Sequence, residues 1–354
     1  MLRRPRLYRS QEALVANYQR LCDLASGAEC AASIKANAYG IGIDFVAPRL
    51  FEAGCQTFFV AHAHEGVRLR QYVPEARIFV FHGLGDDAVE TFTTHRLQPV
   101  LNSLEDVARA SGHQLSPAIH IDTGMHRLGI STDDLDSVFE HLSASECALV
   151  MSHLSSADDT ASAMAEQQCR AFQYALEQWP QATPGSLANT AGVLRDSSFH
   201  FQMVRPGIGL YGGSPDPRDP KGFQSVVCWE APVLQLATVK SGEPIGYGGQ
   251  FKANREMQVA TLATGYADGY LRCLGDRAAV ALDGVRCPVV GRVSMDLVTV
   301  DVTEYVNQGG SVREGHWVEM LGSSISLDEL ALHADTISYE LLTRLGDRFE
   351  LIET

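Results

Sequence analysis

The feature that most constrains the fold is a series of eight short apolar segments in the first 205 residues, most of them separated by helical patterns. Strands that alternate with helices in this way form a parallel sheet. Eight of them in about 200 residues predict a closed (β/α)8 barrel rather than an open sheet, although the link from the third to the fourth is loosely patterned. The segments are 30–35, 57–62, 77–82, 98–101, 117–122, 147–152, 184–189 and 201–205.

Amphipathic helices are indicated where apolar residues recur at helical spacing. Such a stripe runs through 11–25, 135–142 and 165–176. A further helix is expected to run to Gly54 with Asp44 as its N-terminal cap, because a short carboxylate side chain accepts hydrogen bonds from the first free N–H groups.

After about residue 225 the sequence changes to short β-strand patterns separated by turns. Helical pattern returns only at 326–329, a capping-box match, and at 337–345. We therefore predict a barrel domain over 11–225 and a β-rich domain over 226–354, with residues 1–10 as a candidate to pack with the second domain. The predicted strands of the second domain are 226–239, 257–264, 277–282, 288–293, 297–302 and 316–321.

Composition argues against several classes of partner. Lys and Arg number 28 against 43 Asp and Glu, so the net charge is −15, which disfavours nucleic acid and anionic membrane surfaces. The eight cysteines include no CxxC pair, which favours a reducing, cytoplasmic compartment and no zinc site. The chain has no 18-residue apolar run and no apolar core behind its first six residues, so neither a membrane span nor a targeting signal is expected.

Lys35 stands at the end of the first apolar segment and is the first lysine in a chain that has few. A lysine at that point is costly to bury unless it is paired or used covalently. Desolvation lowers the pKa of such an amine and makes it a nucleophile able to form a Schiff base. The structural alternative is a lysine whose ammonium group reaches the surface.

Other polar residues and glycines follow the remaining segments at the same end, where barrel enzymes build their active sites. Loops after the seventh and eighth strands commonly hold a phosphate, and the Thr190 hydroxyl and the N–H groups of 207–209 are suitable donors. Each residue taken singly can also be a loop cap. The set comprises His62, His64, His82, Asp122, Arg127, His153, Asn189, Thr190, Arg205, Gly207 and Ile208.

In the second domain, two glycine-rich clusters contain tyrosines: 246–249 with Tyr247, and 264–270 with Tyr266. A third short motif, 293–296, contains Met295. Tyrosine among glycines is ordinary in turns. Two such clusters in one domain indicate side chains presented to a site.

Seven motifs together resemble the alanine racemase family, in the family's order and across residues 34–340. The resemblance implies a pyridoxal 5′-phosphate-dependent isomerase with a barrel and a C-terminal β domain, working as a head-to-tail homodimer with shared active sites. It implies interconversion of L- and D-alanine, either to supply D-alanine for peptidoglycan or to catabolise alanine. The motifs are Ile34-Lys-Ala-Asn-Ala-Tyr-Gly40, Asp122-Thr-Gly-Met-His-Arg-Leu-Gly129, Val204-Arg-Pro-Gly-Ile-Gly-Leu-Tyr-Gly212, Gly246-Tyr-Gly248, Gly265-Tyr-Ala-Asp-Gly269, Gly291-Arg-Val-Ser-Met-Asp296 and Thr336-Ile-Ser-Tyr-Glu340.

By the same resemblance, Lys35 and Tyr247 form the catalytic pair, and the other subunit supplies Tyr247 and Met295. Arg127 and the Met295 backbone would receive the carboxylate of the amino-acid substrate, and Tyr266 would narrow the entrance. The resemblance also implies which residues contact the cofactor. Those around its ring are Lys35, His153, Asn189 and Arg205. The others, mainly at its phosphate, are Tyr39, Thr190, Gly207, Ile208 and Tyr339.

Racemisation requires a proton to leave one face of Cα and return on the other, hence two acid–base groups. A tyrosine has a reference pKa of about 10 and needs nearby positive charge to act near neutrality. A relay from Tyr247 through His153 to Arg205 could supply that charge. Arg205, with a pKa of roughly 12 or more, is expected to leave the pyridine nitrogen that it faces unprotonated, which limits transamination.

The chain departs from the family pattern beside the substrate arginine. Many relatives have a carbamylated lysine where this chain has His120, and glycine where it has His126. An imidazole does not form a stable carbamate. Either His120 holds Arg127 differently, or an anion or water takes the place of the carbamate.

Three other functions are to be compared with these motifs. A broader-specificity racemase, acting for example on serine or lysine, is compatible with the motifs. A basic amino-acid decarboxylase is disfavoured by the tyrosine clusters and the Val-Ser-Met-Asp motif. A non-catalytic carrier of the cofactor, built from the barrel alone, is disfavoured by residues 226–354.

Overall fold

A computed structural model describes residues 4–25, 27–85, 89–143, 146–180 and 182–354. The chain divides into two compact units, one formed by Val15–Leu210 and the other by the residues up to Leu14 together with Tyr211–Thr354. Strand β1 (Arg6–Arg9) opens the chain and is followed by helix α1 (Gln11–Leu24), as the stripe over 11–25 predicts.

The unit Val15–Leu210 contains a closed ring of parallel strands. β2 and β3 are separated only by Ala31 and act as one first strand, since β2 pairs with β10 and β3 pairs with β4. In the described residues the ring therefore has eight strands. Seven lie within their predicted segments and the first begins one residue before its segment, at Glu29, which confirms the barrel. The strands are β2 (Glu29–Cys30), β3 (Ala32–Ser33), β4 (Thr57–Val60), β5 (Arg77–Val80), β6 (Gln98–Leu101), β7 (Ala118–His120), β8 (Leu149–Met151), β9 (Gly185–Ser186) and β10 (Met203–Val204).

The barrel interior is filled with apolar side chains, as alternation along parallel strands requires. Phe59 and Phe79, from neighbouring strands, stack with ring centroids 5.0 Å apart. The buried cluster consists of Ala31, Phe59, Phe79, Val100, Ala118, Leu149, Met151 and Met203. This packed layer supports the rim residues that follow each strand.

Helical segments follow most of the strands of this unit. The predicted helices over 135–142 and 165–176 are confirmed, but the assignment of Asp44 as a cap is wrong: the helix begins at Ile43 after Gly42, and Asp44 lies in its first turn. The segments are α2 (Lys35–Tyr39), α3 (Ile43–Glu52), α4 (Ala63–Arg70), α5 (Val89–Thr94), α6 (Leu104–Ala110), α7 (Leu135–His141), α8 (Met164–Glu177) and α9 (Thr190–Arg195), with 3-10 turns at Thr132–Asp134, Ser197–Phe199 and Ile208–Tyr211.

The second unit is mainly β-sheet, as predicted. Its main sheet has the order β16-β15-β18-β11-β1-β19, and β14 and β17 extend it from β11. β1 lies antiparallel to β11 and parallel to β19. The strands are β11 (Val227–Val239), β12 (Pro244–Ile245), β13 (Phe251–Lys252), β14 (Met257–Leu262), β15 (Ala279–Leu282), β16 (Val285–Pro288), β17 (Val298–Asp301), β18 (Trp317–Leu321) and β19 (Glu350–Glu353).

The helices of this unit are α10 (Thr303–Asn307), α11 (Leu327–His333) and α12 (Ser338–Thr343), with 3-10 turns at Tyr247–Gly249 and Arg272–Leu274. The Ser326 hydroxyl accepts a hydrogen bond from the N–H of Glu329 at 3.1 Å, which confirms that cap. In the described residues, no helix is long and apolar enough to cross a membrane.

Two details of the second unit differ from the prediction. The strand expected over 288–293 is wrong, because β16 ends at Pro288 and the Asp276 carboxylate takes the N–H of Gly291, which ends the ladder after a single bridge at Val289. Helix α10 was not predicted, since five residues are too few to show helical periodicity.

Candidate active site

The segment after Lys35 is a left-handed turn built from residues that are not glycine. Ala36, Asn37 and Ala38 have φ of 54° and Tyr39 has φ of 56°. Left-handed backbone costs an L-residue roughly 1–2 kcal/mol. The turn is closed by the Gly40 N–H, which donates to the Ala36 carbonyl at 2.9 Å. Backbone strain of this kind concentrates at functional sites.

Glu65, in the first turn of α4, holds this turn in place. Its carboxylate accepts hydrogen bonds from the N–H groups of Ala36 at 2.6 Å, Ala61 at 2.8 Å and His62 at 3.0 Å. One side chain therefore joins the turn beside Lys35 to the end of the next barrel strand. The sequence prediction did not include Glu65, and only its position just after a strand could have drawn attention to it.

A cavity of about 240 Å³ opens at the carboxyl ends of the barrel strands. It brings together four residues that the sequence predicted at this rim, Lys35, His82, Arg127 and His153, and it adds apolar walls from Phe81 and Met151 that were not predicted. The lining residues are Lys35, Ala61, Phe81, His82, His120, Arg127, Leu128, Met151 and His153. The His62 ring lies against His82, with centroids 4.2 Å apart, and stacks on His64 on its other side.

Lys35 faces this cavity. Its ammonium nitrogen lies 5.6 Å from the centroid of the Phe81 ring. Burial and the nearby charge of Arg127 lower the pKa of Lys35, and Glu65 partly opposes the shift. The pKa shift has the predicted direction, and the Lys35 side chain is exposed to solvent where it lines the cavity. Lys35 is also the sole lysine in residues 1–220.

Arg205 is a buried cation with neutral partners. Its side chain is 3% exposed. It donates to the hydroxyl of Ser186 and to the carbonyl oxygens of Ser152 and Leu187, and no carboxylate of the described residues pairs with it. Burial lowers the pKa of Arg205 to about 9, so the expected value of 12 or more is wrong, although the group remains charged at neutral pH.

His153 lies next to Ser152, whose carbonyl Arg205 holds. Burial lowers the pKa of His153 well below its usual value, and the charges of Arg205 and Arg127 act in the same direction. The imidazole is therefore neutral at pH 7. Within the described residues no direct hydrogen bond joins His153 to Arg205, and the charge of Arg205 acts on His153 electrostatically. The relay from Tyr247 through His153 to Arg205 stays a prediction.

The predicted phosphate donors converge near the ends of the seventh and eighth strands. Thr190 Oγ1 accepts hydrogen bonds from the N–H groups of Gly207 at 2.9 Å and Gly209 at 3.4 Å, and its own hydroxyl hydrogen remains available as a donor. Asn189 caps α9 by accepting from the Gly192 N–H at 3.0 Å. Ile208 is buried and begins the adjoining 3-10 turn.

Tyr39 reaches the same place from the left-handed turn. A Cβ added at Gly207 would collide with the Tyr39 hydroxyl, so only glycine lets the two groups approach. Burial raises the pKa of Tyr39 to about 12, and a hydrogen bond with Ser33 opposes the shift. The phenol is therefore a protonated donor at neutral pH. The Tyr39 and Thr190 hydroxyls both lie beside Gly207 and can donate to an anion there, while the Gly207 N–H itself donates to Thr190 Oγ1.

The other predicted site residues belong to the second unit. Tyr247 lies on the 3-10 turn Tyr247–Gly249 with 70% of its surface exposed. Tyr266 and Met295 lie on two loops that hydrogen bond to each other and are also exposed. Tyr339 is in the first turn of α12.

His120 lines the same cavity as Arg127. Asn102 donates its amide hydrogens to the carbonyl oxygens of Phe81 at 2.8 Å and Val100 at 2.9 Å, so its own oxygen faces His120 Nδ1, 2.8 Å away. Nδ1 must then carry the hydrogen. Burial and the charges of Arg205 and Arg127 lower the pKa of His120 to about 4. The remaining nitrogen, Nε2, is a neutral hydrogen-bond acceptor.

The second departure, His126, adopts the backbone that glycine would allow. Its φ is 54°, and its ring pairs with the Asp122 carboxylate at 3.0 Å. Asp122 also accepts from the N–H groups of Gly124 and His126, which fixes the loop. Among the described residues, Arg127 has no hydrogen-bond or ion-pair partner, so its guanidinium is available to a ligand in the cavity.

Two family models match the chain: the alanine racemase N-terminal domain over residues 10–215 and the C-terminal domain over residues 226–352. An alanine racemase of Methylobacterium nodulans is 43% identical over 349 residues, which cover 96% of this chain and 93% of the relative. A catabolic alanine racemase of Agrobacterium fabrum is 40% identical, over 95% of this chain and 89% of the relative.

Solved structures agree over the whole length. Alanine racemase from Bartonella henselae, with covalently bound pyridoxal phosphate, has a TM-score of 0.91 at 34% identity and covers 99% of both chains. The biosynthetic alanine racemase of Pseudomonas aeruginosa has a TM-score of 0.93 at 30% identity and covers 100% of both chains. The motifs, the barrel with its β-rich second unit, and these matches lead to one conclusion: the chain belongs to the alanine racemase family, whose members are isomerases acting on amino acids.

Proposed function

We propose that this enzyme interconverts L- and D-alanine with pyridoxal 5′-phosphate bound covalently to Lys35. The observation that carries the proposal is the placement of Lys35, with a lowered pKa, in one cavity with Arg127 and His153. A carbonyl cofactor needs an amine that is not permanently charged, and the cavity holds one. The relative from Bartonella henselae carries the cofactor covalently, which supports the same attachment here.

The residues present suit the cofactor. Tyr39, Thr190 and Gly207 form a cradle that a side chain at Gly207 would fill, as expected where a phosphate approaches backbone. Arg205, buried without a carboxylate partner, suits a ring nitrogen that accepts a hydrogen bond. Tyr339 is proposed as a second phosphate donor. When bound, the cofactor supplies the electron sink that lets the hydrogen at Cα leave as a proton.

The chain's own groups would move that proton. Lys35 holds or removes it on one face of Cα, and Tyr247 serves the other face from the partner subunit of a homodimer. The exposure of Tyr247 is consistent with a side chain whose site is completed by another copy. Arg205 and Arg127 would supply positive charge on the His153 side of the site.

The carboxylate of alanine would be held by two donors. Arg127 has no partner among the described residues, and the N–H of Met295 likewise donates to no group in the described part of the chain. Tyr266, on the loop beside Met295, would narrow the entrance and favour a small side chain. A guanidinium and a backbone N–H hold a carboxylate in a fixed orientation, which positions Cα between the two proton carriers.

We infer a role in the cytoplasm, either in D-alanine supply for peptidoglycan or in alanine catabolism. The eight cysteines are all free thiols, as in a reducing compartment. Curated relatives are named both simply as alanine racemase and as the catabolic enzyme, so growth of a deletion strain with and without D-alanine, and on alanine as sole carbon source, decides between the two.

The proposal is tested by incubating the holoenzyme with L-alanine in D2O. We expect deuterium at Cα together with loss of optical rotation. Release of CO2 would indicate a decarboxylase instead, and absence of exchange a carrier. Serine and lysine of both hands, run in parallel, measure how narrow the substrate range is.

Attachment is tested separately with borohydride. Reduction of the holoenzyme should fix the cofactor on one peptide of residues 1–220, and that peptide must contain Lys35 because no other lysine lies there. Lys35→Ala should lose the cofactor absorbance and at least about 10³-fold of the racemase rate. Lys221→Ala, which removes an exposed lysine ion-paired to Asp219, is the matched control and should behave as wild type.

A further inference from the structure

The two loops that carry Tyr266 and Met295 are packed directly on each other. The Tyr266 N–H donates to the Ser294 carbonyl and the Ala267 N–H donates to the Met295 carbonyl, both at 3.0 Å. Gly265 lies so close to those two carbonyls that no side chain could be accommodated there. The position of the Met295 N–H therefore depends on the conformation of the loop over 264–270.

Arg348, near the C-terminus of the chain, joins both loops. Its Nε and Nη2 donate to the two oxygens of Asp268 at 2.8 Å each, and its Nη1 donates to Asp296 at 2.6 Å. Asp268 precedes Gly269 in the first loop, and Asp296 follows Met295 in the second. One planar guanidinium thus clamps the two loops at adjacent points.

The Asp268 carboxylate is itself the centre of the first loop. Its side chain is 2% exposed and accepts hydrogen bonds from the Gly265 N–H at 2.9 Å and the Thr264 hydroxyl at 3.3 Å. The hydrogen bonds with both carboxylates raise the pKa of Arg348, so the cation persists at any pH at which the protein is folded. A buried carboxylate that lost this partner would draw its loop towards water.

We propose that Arg348 is a positioning residue that sets the orientation of the Met295 N–H and the Tyr266 ring for substrate binding. The inference rests on the proposed function, since it assumes that these two groups meet the substrate. It assigns their geometry to a residue that touches neither of them. A lysine cannot replace this arginine, because an ammonium group has no fork that spans two carboxylates.

The first test compares steady-state kinetics of Arg348→Lys and Asp296→Asn with wild type. A misplaced carboxylate donor weakens binding of ground and transition states alike, so KM for alanine should rise by about tenfold with kcat changed less than about threefold. Asp296 is largely exposed, so Asp296→Asn removes the negative charge from one arm of the clamp without disturbing the core. Unchanged KM in both variants would overturn the inference.

The matched control is Arg344→Gln, four residues before Arg348. Arg344 is exposed and pairs with Glu340, one turn before it in sequence, and not with the two loops. Its KM and kcat should equal those of wild type. Hydrogen–deuterium exchange supplies a readout that does not depend on activity: the amides of 264–270 and 294–297 should exchange faster in Arg348→Lys and not in Arg344→Gln.

A mixed dimer shows on which site Arg348 acts. Subunits carrying Lys35→Ala are combined with subunits carrying Arg348→Lys, each with a different affinity tag, and the heterodimer is isolated. If the loops serve the partner's site, the one competent site combines Lys35 with unaltered loops, and the heterodimer shows wild-type KM with about half the wild-type kcat per dimer. A raised KM would mean that Arg348 acts on the site of its own subunit and would contradict the shared-site arrangement of the proposed function.

These outcomes separate the two proposals. Failure of the proposed function appears as wild-type protein that does not racemise alanine in D2O. Failure of the present inference appears as wild-type protein that does, while Arg348→Lys and Asp296→Asn keep the KM of Arg344→Gln.

Discussion

His120 is neutral in this fold for two separate reasons. Its Nδ1 hydrogen is committed to Asn102, and burial beside two arginines lowers the pKa of the ring to about 4. Its Nε2 lone pair is therefore available in a cavity that also contains Arg127. Within the described residues no hydrogen bond joins this nitrogen to Arg127, so His120 offers an acceptor beside Arg127 without holding it directly, and the anion or water raised by the sequence stays a prediction.

The neutral state of His120 makes a prediction about pH and stability. In the unfolded chain the ring has an ordinary pKa of 6.5, whereas in the folded protein the pKa is about 4. Above pH 6.5 both states are neutral and no penalty exists. As pH falls from 6.5 to 5, the unfolded state alone takes up the proton, so the free energy of unfolding decreases by about 2 kcal/mol through this group.

Urea unfolding of the holoenzyme at pH 6.5 and pH 5 measures the effect. His120→Gln does not titrate and should lose about 2 kcal/mol less than wild type over the interval. Equal losses in the two proteins would show that His120 is protonated in the folded state as easily as in the unfolded one.

The residues of the barrel site were largely predictable, and their supporting partners were not. Lys35, Arg127 and His153 follow strands, and strand ends of a parallel barrel meet at one rim whatever the loops do. Asn102 directly follows β6 and Ser186 lies on β9, and both are ordinary polar residues. Their roles follow from which side chain faces them across the barrel, and a linear sequence carries no signal for that.

At the scale of elements, the turn after Lys35 opposes its own local preference. Alanine is the best helix former, and Lys-Ala-Asn-Ala-Tyr would be expected to continue as right-handed helix. The structure has left-handed backbone there, with Glu65 accepting the Ala36 N–H. A single contact from α4 thus helps to impose a conformation that places Lys35 in the cavity and Tyr39 beside Gly207.

Glu65→Gln should release this constraint. An amide presents one oxygen and two N–H hydrogens where three backbone N–H groups now require acceptors, so at least one donor loses its partner. We expect the free energy of unfolding to fall by about 1–3 kcal/mol and the affinity for pyridoxal phosphate to weaken.

Chemical denaturation and titration of the apoenzyme with cofactor give the two quantities. Glu52→Gln, at the exposed end of α3, is the control and should change neither. If Glu65→Gln bound the cofactor like wild type and kept its stability, the turn would owe its conformation to other contacts.

Elements with strong periodicity were predicted well, and short or interrupted ones were not. Seven of the eight barrel strands lie within a predicted segment, and the first begins one residue before its segment, because buried strands are continuous apolar runs. The segment 288–293 has the same composition, but Asp276 captures the N–H of Gly291 and stops the pairing. Composition specifies that a segment can be a strand, whereas the neighbouring side chain decides where the ladder ends.

At the scale of the whole molecule, the proposed catalytic pair is divided between two units: Lys35 lies in Val15–Leu210, and Tyr247 lies in the other. Tyr247, Tyr266 and Met295 are all exposed large side chains of that second unit. Exposed apolar side chains grouped on one part of a protein surface are typical of surfaces that bind a partner protein. This is the observation that supports the homodimer.

Mixing two inactive variants tests whether Lys35 and Tyr247 of one site come from different subunits. Lys35→Ala and Tyr247→Phe should each be nearly inactive alone. Denatured together and refolded at random, half of the dimers are mixed and each has one intact site, so about a quarter of wild-type activity should return. Recovery of no activity would place Lys35 and Tyr247 of one site on the same subunit.

The order of strands in the two sheets has a consequence for biosynthesis. The barrel closes where strand Met203–Val204 pairs with strand Glu29–Cys30. In the second sheet, strand Arg6–Arg9 pairs with strand Glu350–Glu353. The barrel strands are all present once residue 204 has left the ribosome, whereas the second sheet cannot be finished before Glu350–Glu353 has been made. Removal of the final few residues should therefore leave the opening strand without this neighbour and expose it to degradation.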